Sequence, residues 1–227
     1  MISLKIKQKI YLDKKGDSMK VIRPGFEIIS DLNAETILKN IEKCGRVCYK
    51  SENLIDQGTA EKFIRGIIAR GHESVLEHEK ITVKLICDRG VSHEIVRHRV
   101  ASYSQESTRY CNYSKEKFGK ELTMIHPCFW EEEDPQYQVW KETMEQIEQN
   151  YNRLIEMGAK PEEARTILPN SLKTEIVVTM NIRELRHFLR LRTAKASHPQ
   201  MREIAGMLLQ YLKQELPVLF EDINPEK

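Results

Sequence analysis

Arg97-His98-Arg99-Val100-Ala101-Ser102-Tyr103-Ser104-Gln105-Glu106-Ser107, with Arg109 two residues on, is the stretch that decides how this chain is read. Three bases in a row precede a hydroxyl-rich loop and a further guanidinium. Such a run builds a core badly and holds an anion well. Arginine offers permanently charged donors in a fixed fork. Serine and tyrosine hydroxyls, with loop N–H groups, can complete a cradle. His98 adds a flat, titratable ring. A basic helix end facing the macrodipole accounts for one or two of these cations, not for all of them with the polar run behind. Adjacent residues point in different directions on any regular element. The three bases therefore predict contacts to different ligand groups, as where two ligands meet.

Working outward, the hydrophobic spacing predicts an α+β fold. KITVKLICD, with Ile81, Val83, Leu85 and Cys87 alternating, reads as a half-buried strand, and a short helix from Gly90 leads into the basic run. LKTEIVVTMN reads as a second strand, and Lys20 to Ser30 as a third, interrupted at Pro24-Gly25. Helices are predicted from Asn33 to Tyr49, from Thr59 to Arg70 with Gly71 as left-handed cap, and from Pro199 to Glu215. A long helix should start at Asp134-Pro135 and end at Gly158. Its stripe of Tyr137, Trp140, Met144, Ile147, Tyr151 and Leu154 predicts core. The expectation is a single domain over 19-227, with a mostly antiparallel sheet flanked by helices. Residues 1-18 read as an N-terminal extension.

Composition narrows the function. Forty per cent hydrophobic and 31% charged residues describe a globular chain, and a net charge of +2 makes the basic clusters local. A non-specific nucleic-acid binder is usually more lopsided, so no nucleic-acid partner is expected. No apolar run approaches the roughly 20 residues of a membrane span, and the first residues lack the apolar stretch of a secretory signal. Five scattered cysteines without a C-x-x-C pair fit reduced thiols, predicting a cytoplasmic location.

Two further stretches carry polar chemistry. In IRELRHFLRLR, following Asn181, helical spacing puts Arg186, His187 and Arg190 within about 60° of Arg183 and Arg192 at about 180° among the apolar residues. Arg186 and Arg190 are expected on a solvated face. Arg192 on the apolar side is costly unless paired, and predicts a cation turned into a cleft. Asn181 with Glu184 predicts a capping box. GHESVLEH, Gly71 to His78, suggests zinc, but His72 and His78 are six apart, unlike H-E-x-x-H. No metal is expected there. G-x-G-x-x-G and P-loop motifs are absent, and Ser107 has no activating partner by spacing. A strand-gripping nucleic-acid module and a metal-dependent phosphohydrolase are the rival readings.

The chain resembles the flavin-dependent (alternative) thymidylate synthases. The family signature, RHR, seven residues, then Ser, stands here as Arg97-His98-Arg99 to Ser107, and GHESVLEH, EARTILP and MNIRELRHFLRLR follow the family in order. The resemblance runs from about Met19 to Phe220. It implies reductive methylation of dUMP to dTMP, with methylenetetrahydrofolate as carbon donor, FAD as hydride carrier and NADPH as reductant. It also implies a homotetramer with active sites shared between subunits. The family's flavin contacts correspond to Ser74, Arg97, His98, Arg99, Gln105, Asn181, Arg183 and His187, with His72 and Glu77 lining the flavin site. Its dUMP contacts correspond to Glu94, Arg97, Gln105, Ser107, Arg109, Arg165 and Arg192. Among these, Arg192 is the expected catalytic group, stabilising an anionic uracil so that C5 becomes electron-rich. Ser107 is expected to position rather than attack.

Overall fold

The computed structural model describes residues 19–111, 113 and 121–225. The expected extension 1-18 lies outside the described residues. In chain order the elements are β1 (Lys20–Ile22), β2 (Gly25–Ile28), α1 (Ala34–Tyr49), α2 (Thr59–Ala69), β3 (Lys80–Asp88), α3 (Arg89–Ile95), β4 (Ala101–Gln105) and β5 (Thr123–Ile125), then α4 (Pro135–Glu156), α5 (Pro161–Ala164), β6 (Lys173–Asn181), α6 (Ile182–Thr193), α7 (Pro199–Glu215) and α8 (Pro217–Phe220). Short 3-10 turns span Glu73–His78 and Arg165–Ile167.

Buried residues alternate with more exposed ones throughout β6 and from Lys80 to Cys87 in β3, and these two strands form the centre of a four-stranded sheet, ordered β2-β3-β6-β4. Thr82 meets Thr179 while Ile182 N–H donates to the Glu79 carbonyl, so the pair is antiparallel. The fold is α+β, an antiparallel sheet flanked by helices, as expected. Two details differ. The strand predicted across Pro24-Gly25 splits into two, and β1 leaves to pair in parallel with β5. The stretch read as a hydroxyl-rich loop is β4, a short edge strand. Its small polar residues carry no apolar alternation to announce it.

Contacts among the described residues cluster into two units, neither of them one continuous stretch of chain. The first takes the residues up to Gly25, Leu85–Arg97 and Ser104–Ile176; the second takes Phe26–Lys84, His98–Tyr103 and everything from Val177 on. The first unit's core is Met19, Val21, Leu122, Met124, Met144, Tyr151 and Leu172, with Trp140, Ile147 and Leu154 packed against it. That is the predicted α4 stripe serving as core.

In the second unit α1 packs on α2, and α6 on α7. A Cβ at Gly45 would lie 2.5 Å from the Phe63 ring, so only glycine lets α1 and α2 approach this closely. Gly71, at φ +72, turns the chain out of α2 as the cap rule requires. Leu185, Phe188 and Leu189 of α6 are buried, each contributing about 1.5–3 kcal/mol.

Candidate active site

The N-terminal end of α6 organises the second unit's polar site. Asn181 Oδ1 accepts the Glu184 N–H at 2.8 Å, the predicted cap. The Glu184 carboxylate, which a capping box would turn back on its own helix, instead lies 2.9 Å from His98 Nδ1. On the other side of the ring, Arg192 Nε donates to His98 Nε2 at 3.1 Å. Glu184, Phe188 and Arg192 recur every four residues and so share one helix face. The His98 imidazole lies along it, edge-on to the Phe188 ring with centroids 4.9 Å apart. The Tyr103 hydroxyl donates to the His98 carbonyl. Burial, and to a lesser degree the Glu184 charge, pushes the Tyr103 hydroxyl up to about 12, so it stays a donor.

His98 itself is buried, and its pKa lies below the usual histidine value. Burial is the main cause and the Arg192 charge adds to it, against the raising hydrogen bond from Glu184. Arg192 is half-buried and inside the helix, not beyond its end. Its guanidinium lies against the His98 ring.

Beside this cluster opens a concavity of about 400 Å³, lined by Glu73, Glu77, Val100, Asn181, Arg183, Glu184, His187 and Arg190. Its Arg183 is exposed and pairs with Glu77 at 2.5 Å. His98, Glu184 and His187 bring potential ligand atoms within 4.8 Å of one another. The geometry resists a cation there, because both His98 nitrogens are engaged and one faces a guanidinium. Ser74, His72 and Arg99 do not line the concavity; Ser74 and Arg99 are exposed, and His72 meets the Tyr49 hydroxyl at 3.0 Å.

Arg186 overturns one expectation. Rather than sitting on a solvated face it is fully buried, the largest such side chain among the described residues. It forks onto both oxygens of Asp222 at 2.8 and 2.7 Å, meets Glu73 at 3.2 Å and donates to the Leu219 carbonyl. The carboxylates compensate its desolvation, which a helical wheel cannot foresee. Arg190 stays partly exposed but shares Glu73 and Asp222.

The first unit holds the other expected residues. Gln105 Nε2 donates to Ser92 Oγ at 2.9 Å and Thr174 Oγ1 at 3.2 Å, which leaves its carbonyl as the group to offer a ligand. Ser107 Oγ accepts the Arg109 N–H at 3.3 Å, and Arg109 pairs with Glu162 at 3.1 Å. Glu106, the acid beside Ser107, is committed to Lys173 at 3.0 Å and to the Tyr113 hydroxyl at 2.9 Å. It is not a base for Ser107. Glu94 is half-buried on α3, whereas Arg97 and Arg165 are exposed.

Residues 31–218 match the family model described as thymidylate synthase complementing protein. The flavin-dependent thymidylate synthase of Pyrococcus furiosus is 37% identical over 182 residues, covering 80% of this chain and 72% of that one. That of Geobacter sulfurreducens is 34% identical over 187 residues, 79% of each chain. The chain belongs to the flavin-dependent thymidylate synthase family. A crystal structure of PolB, a UMP/dUMP methylase from Streptomyces cacaoi bound with 5-Br dUMP, superposes with a TM-score of 0.74 at 24% identity. The overlap covers 89% of this chain and 96% of that one, and shows a shared fold.

Set against flavin-dependent thymidylate synthases, the expected contacts divide between the units. Ser74, His98, Arg99, Asn181, Arg183 and His187 belong to the second, and Glu94, Ser107, Arg109 and Arg165 to the first. Arg97 and Gln105 fall in the first and Arg192 in the second. Two polar groups escaped sequence reasoning. Glu184 was legible only as a cap, and Tyr103 as a ligand-facing side chain rather than as the donor to the His98 carbonyl.

Proposed function

We propose that the chain is a flavin-dependent thymidylate synthase, a methyltransferase that converts dUMP to dTMP. The family membership and the functions of its relatives support this reading. When bound, FAD supplies the hydride chemistry, with NADPH as reductant and methylenetetrahydrofolate as carbon donor. The chain, cytoplasmic and acting from a domain over 19-227, works as a homotetramer with active sites shared between subunits. Its own residues bind, orient and shield.

The observation that carries the reading is Arg192, a half-buried guanidinium seated against a neutral imidazole. A cation held there favours negative charge on uracil N3 and its flanking carbonyls, which makes C5 nucleophilic without attack by an enzyme side chain. Arg109, Arg165 and Ser107 hold the nucleotide, with Glu94 and the Gln105 carbonyl as further contacts. The second unit's concavity has the donors for part of a flavin dinucleotide: the Asn181 amide, the His187 ring and Arg183. Its volume sits near the low end for ligand pockets, so it takes part of so large a cofactor. The Arg183–Glu77 pair is exposed, and such pairs are worth about 0–1 kcal/mol, so a diphosphate readily displaces the carboxylate. Exposed Arg99 adds positive charge for it.

Arg192→Ala should reduce dTMP formation at least about a hundredfold, the scale of losing one charge-stabilising donor, while the purified protein keeps its flavin spectrum. Wild-type turnover in that variant, or wild-type protein without a flavin spectrum, overturns the proposal.

A further inference from the structure

The bonding around His98 admits one proton arrangement. A guanidinium has donors and no acceptor, so the nitrogen that Arg192 Nε approaches at 3.1 Å must be bare. The ring's proton therefore sits on Nδ1 and is donated to Glu184 Oε1, 2.9 Å away. Neutral histidine carries only one such proton, so the two contacts specify each other. If Nδ1 lost its acceptor, the proton could move to Nε2 and point at the Arg192 N–H, two donors in collision. The carboxylate thus fixes the tautomer, and the tautomer decides whether Arg192 can rest where it does. The chain of contacts is closed in by packing: Phe188 lies edge-on to the ring, and the Tyr103 hydroxyl holds the His98 carbonyl.

We propose that Glu184 is a positioning residue that, through the Nδ1–H tautomer of His98, holds the Arg192 guanidinium in the orientation its chemistry needs. The inference rests on the reading of Arg192 as the group that polarises the uracil. It assigns the Glu184 carboxylate a task beyond its place in the first turn of α6, where a glutamate would otherwise serve only the helix end. Arg192 projects from the last turn of α6 on a long, rotamer-rich side chain. A single fixed acceptor at Nε pins the stem and the plane of the guanidinium together, so less entropy is lost when its terminal N–H groups meet substrate.

Two measurements test it. In neutron diffraction from wild-type crystals, His98 should carry a deuteron on Nδ1 and none on Nε2. In steady-state kinetics, Glu184→Ala should lower kcat about 10- to 100-fold, the range for removing an outer group that orients a working one. The KM for dUMP should change by a smaller factor than kcat, since Arg109, Arg165 and Ser107, which hold the nucleotide, are untouched. Glu184→Gln keeps a carbonyl acceptor for Nδ1–H and should recover most of the loss. A deuteron on Nε2, an Ala variant with wild-type kcat, a loss confined to KM, or a Gln variant as slow as Ala each overturns the proposal. Should Glu184→Ala fail to fold, the neutron result and the Gln variant still judge it. A wild-type protein that makes no dTMP would instead sink the reading of function. The proton on Nδ1 would then still decide the geometry.

Discussion

At the scale of a residue, His98 couples protonation to both stability and turnover. Burial holds its pKa below the ordinary 6.5, and His126, buried against Tyr137, is lowered for the same first reason. The unfolded chain takes up these protons near the ordinary value, while the native rings resist them. Stability is therefore complete above about pH 6.5 and is lost as the pH falls through the lower native values. A proton added to His98 must go to Nε2, which Arg192 faces, so the same titration expels the guanidinium from its seat. The melting temperature should fall as the pH is lowered from 7 to 5, and kcat should show an acid limb in that window. His98→Gln should make the stability profile shallower, leaving the share that His126 carries. An unchanged slope in that variant would show that His98 does not carry the effect.

One helix, α6, does two separate jobs. Arg186 ties it to the C-terminal segment through Asp222 and the Leu219 carbonyl, and to the Glu73–His78 turn through Glu73. Arg192, six residues on, seats against His98. Removing one partner from a buried ion cluster costs about 3–5 kcal/mol. Arg186→Ala should sit near the lower figure, because Arg190 remains to pair with both carboxylates. Asp222→Asn, at a partly exposed carboxylate, should cost about 1 kcal/mol. Arg192→Ala should change stability by under about 1 kcal/mol while abolishing turnover. Urea melts of the three variants would check the order. An Arg192→Ala variant as unstable as Arg186→Ala would mean that the inward cation is mainly a structural tie.

At the scale of the whole molecule, what the sequence disclosed follows from the range of the interaction. The start of α4 at Pro135, its core stripe and the Asn181 cap are local, set by residues within a few positions of one another. So is the RHR-to-Ser107 signature. Arg186 was misplaced because its partners lie 36 and 113 positions away, and the role of Glu184 was hidden because His98 is 86 positions distant. β4 was missed because an edge strand of small polar residues is defined by the neighbour it pairs with.

The division of the expected contacts between two units gives the proposed tetramer a decisive experiment. Arg165 belongs to the first unit and Arg192 to the second. In a symmetric oligomer with shared sites, a nucleotide can meet Arg165 of one copy and Arg192 of another. Arg165→Ala and Arg192→Ala, each expected to be nearly inactive alone, should then complement when the two are co-expressed and assemble together. Random mixing of equal amounts leaves about a quarter of sites with both arginines intact, so activity should return to about a quarter of wild type. If each site drew both arginines from one copy, every site would lack one or the other, and the mixture would stay as inactive as its parts. Recovery therefore separates a shared site from a self-contained one without any structure of the bound nucleotide. Co-expression of two copies of the Arg192→Ala chain supplies the blank.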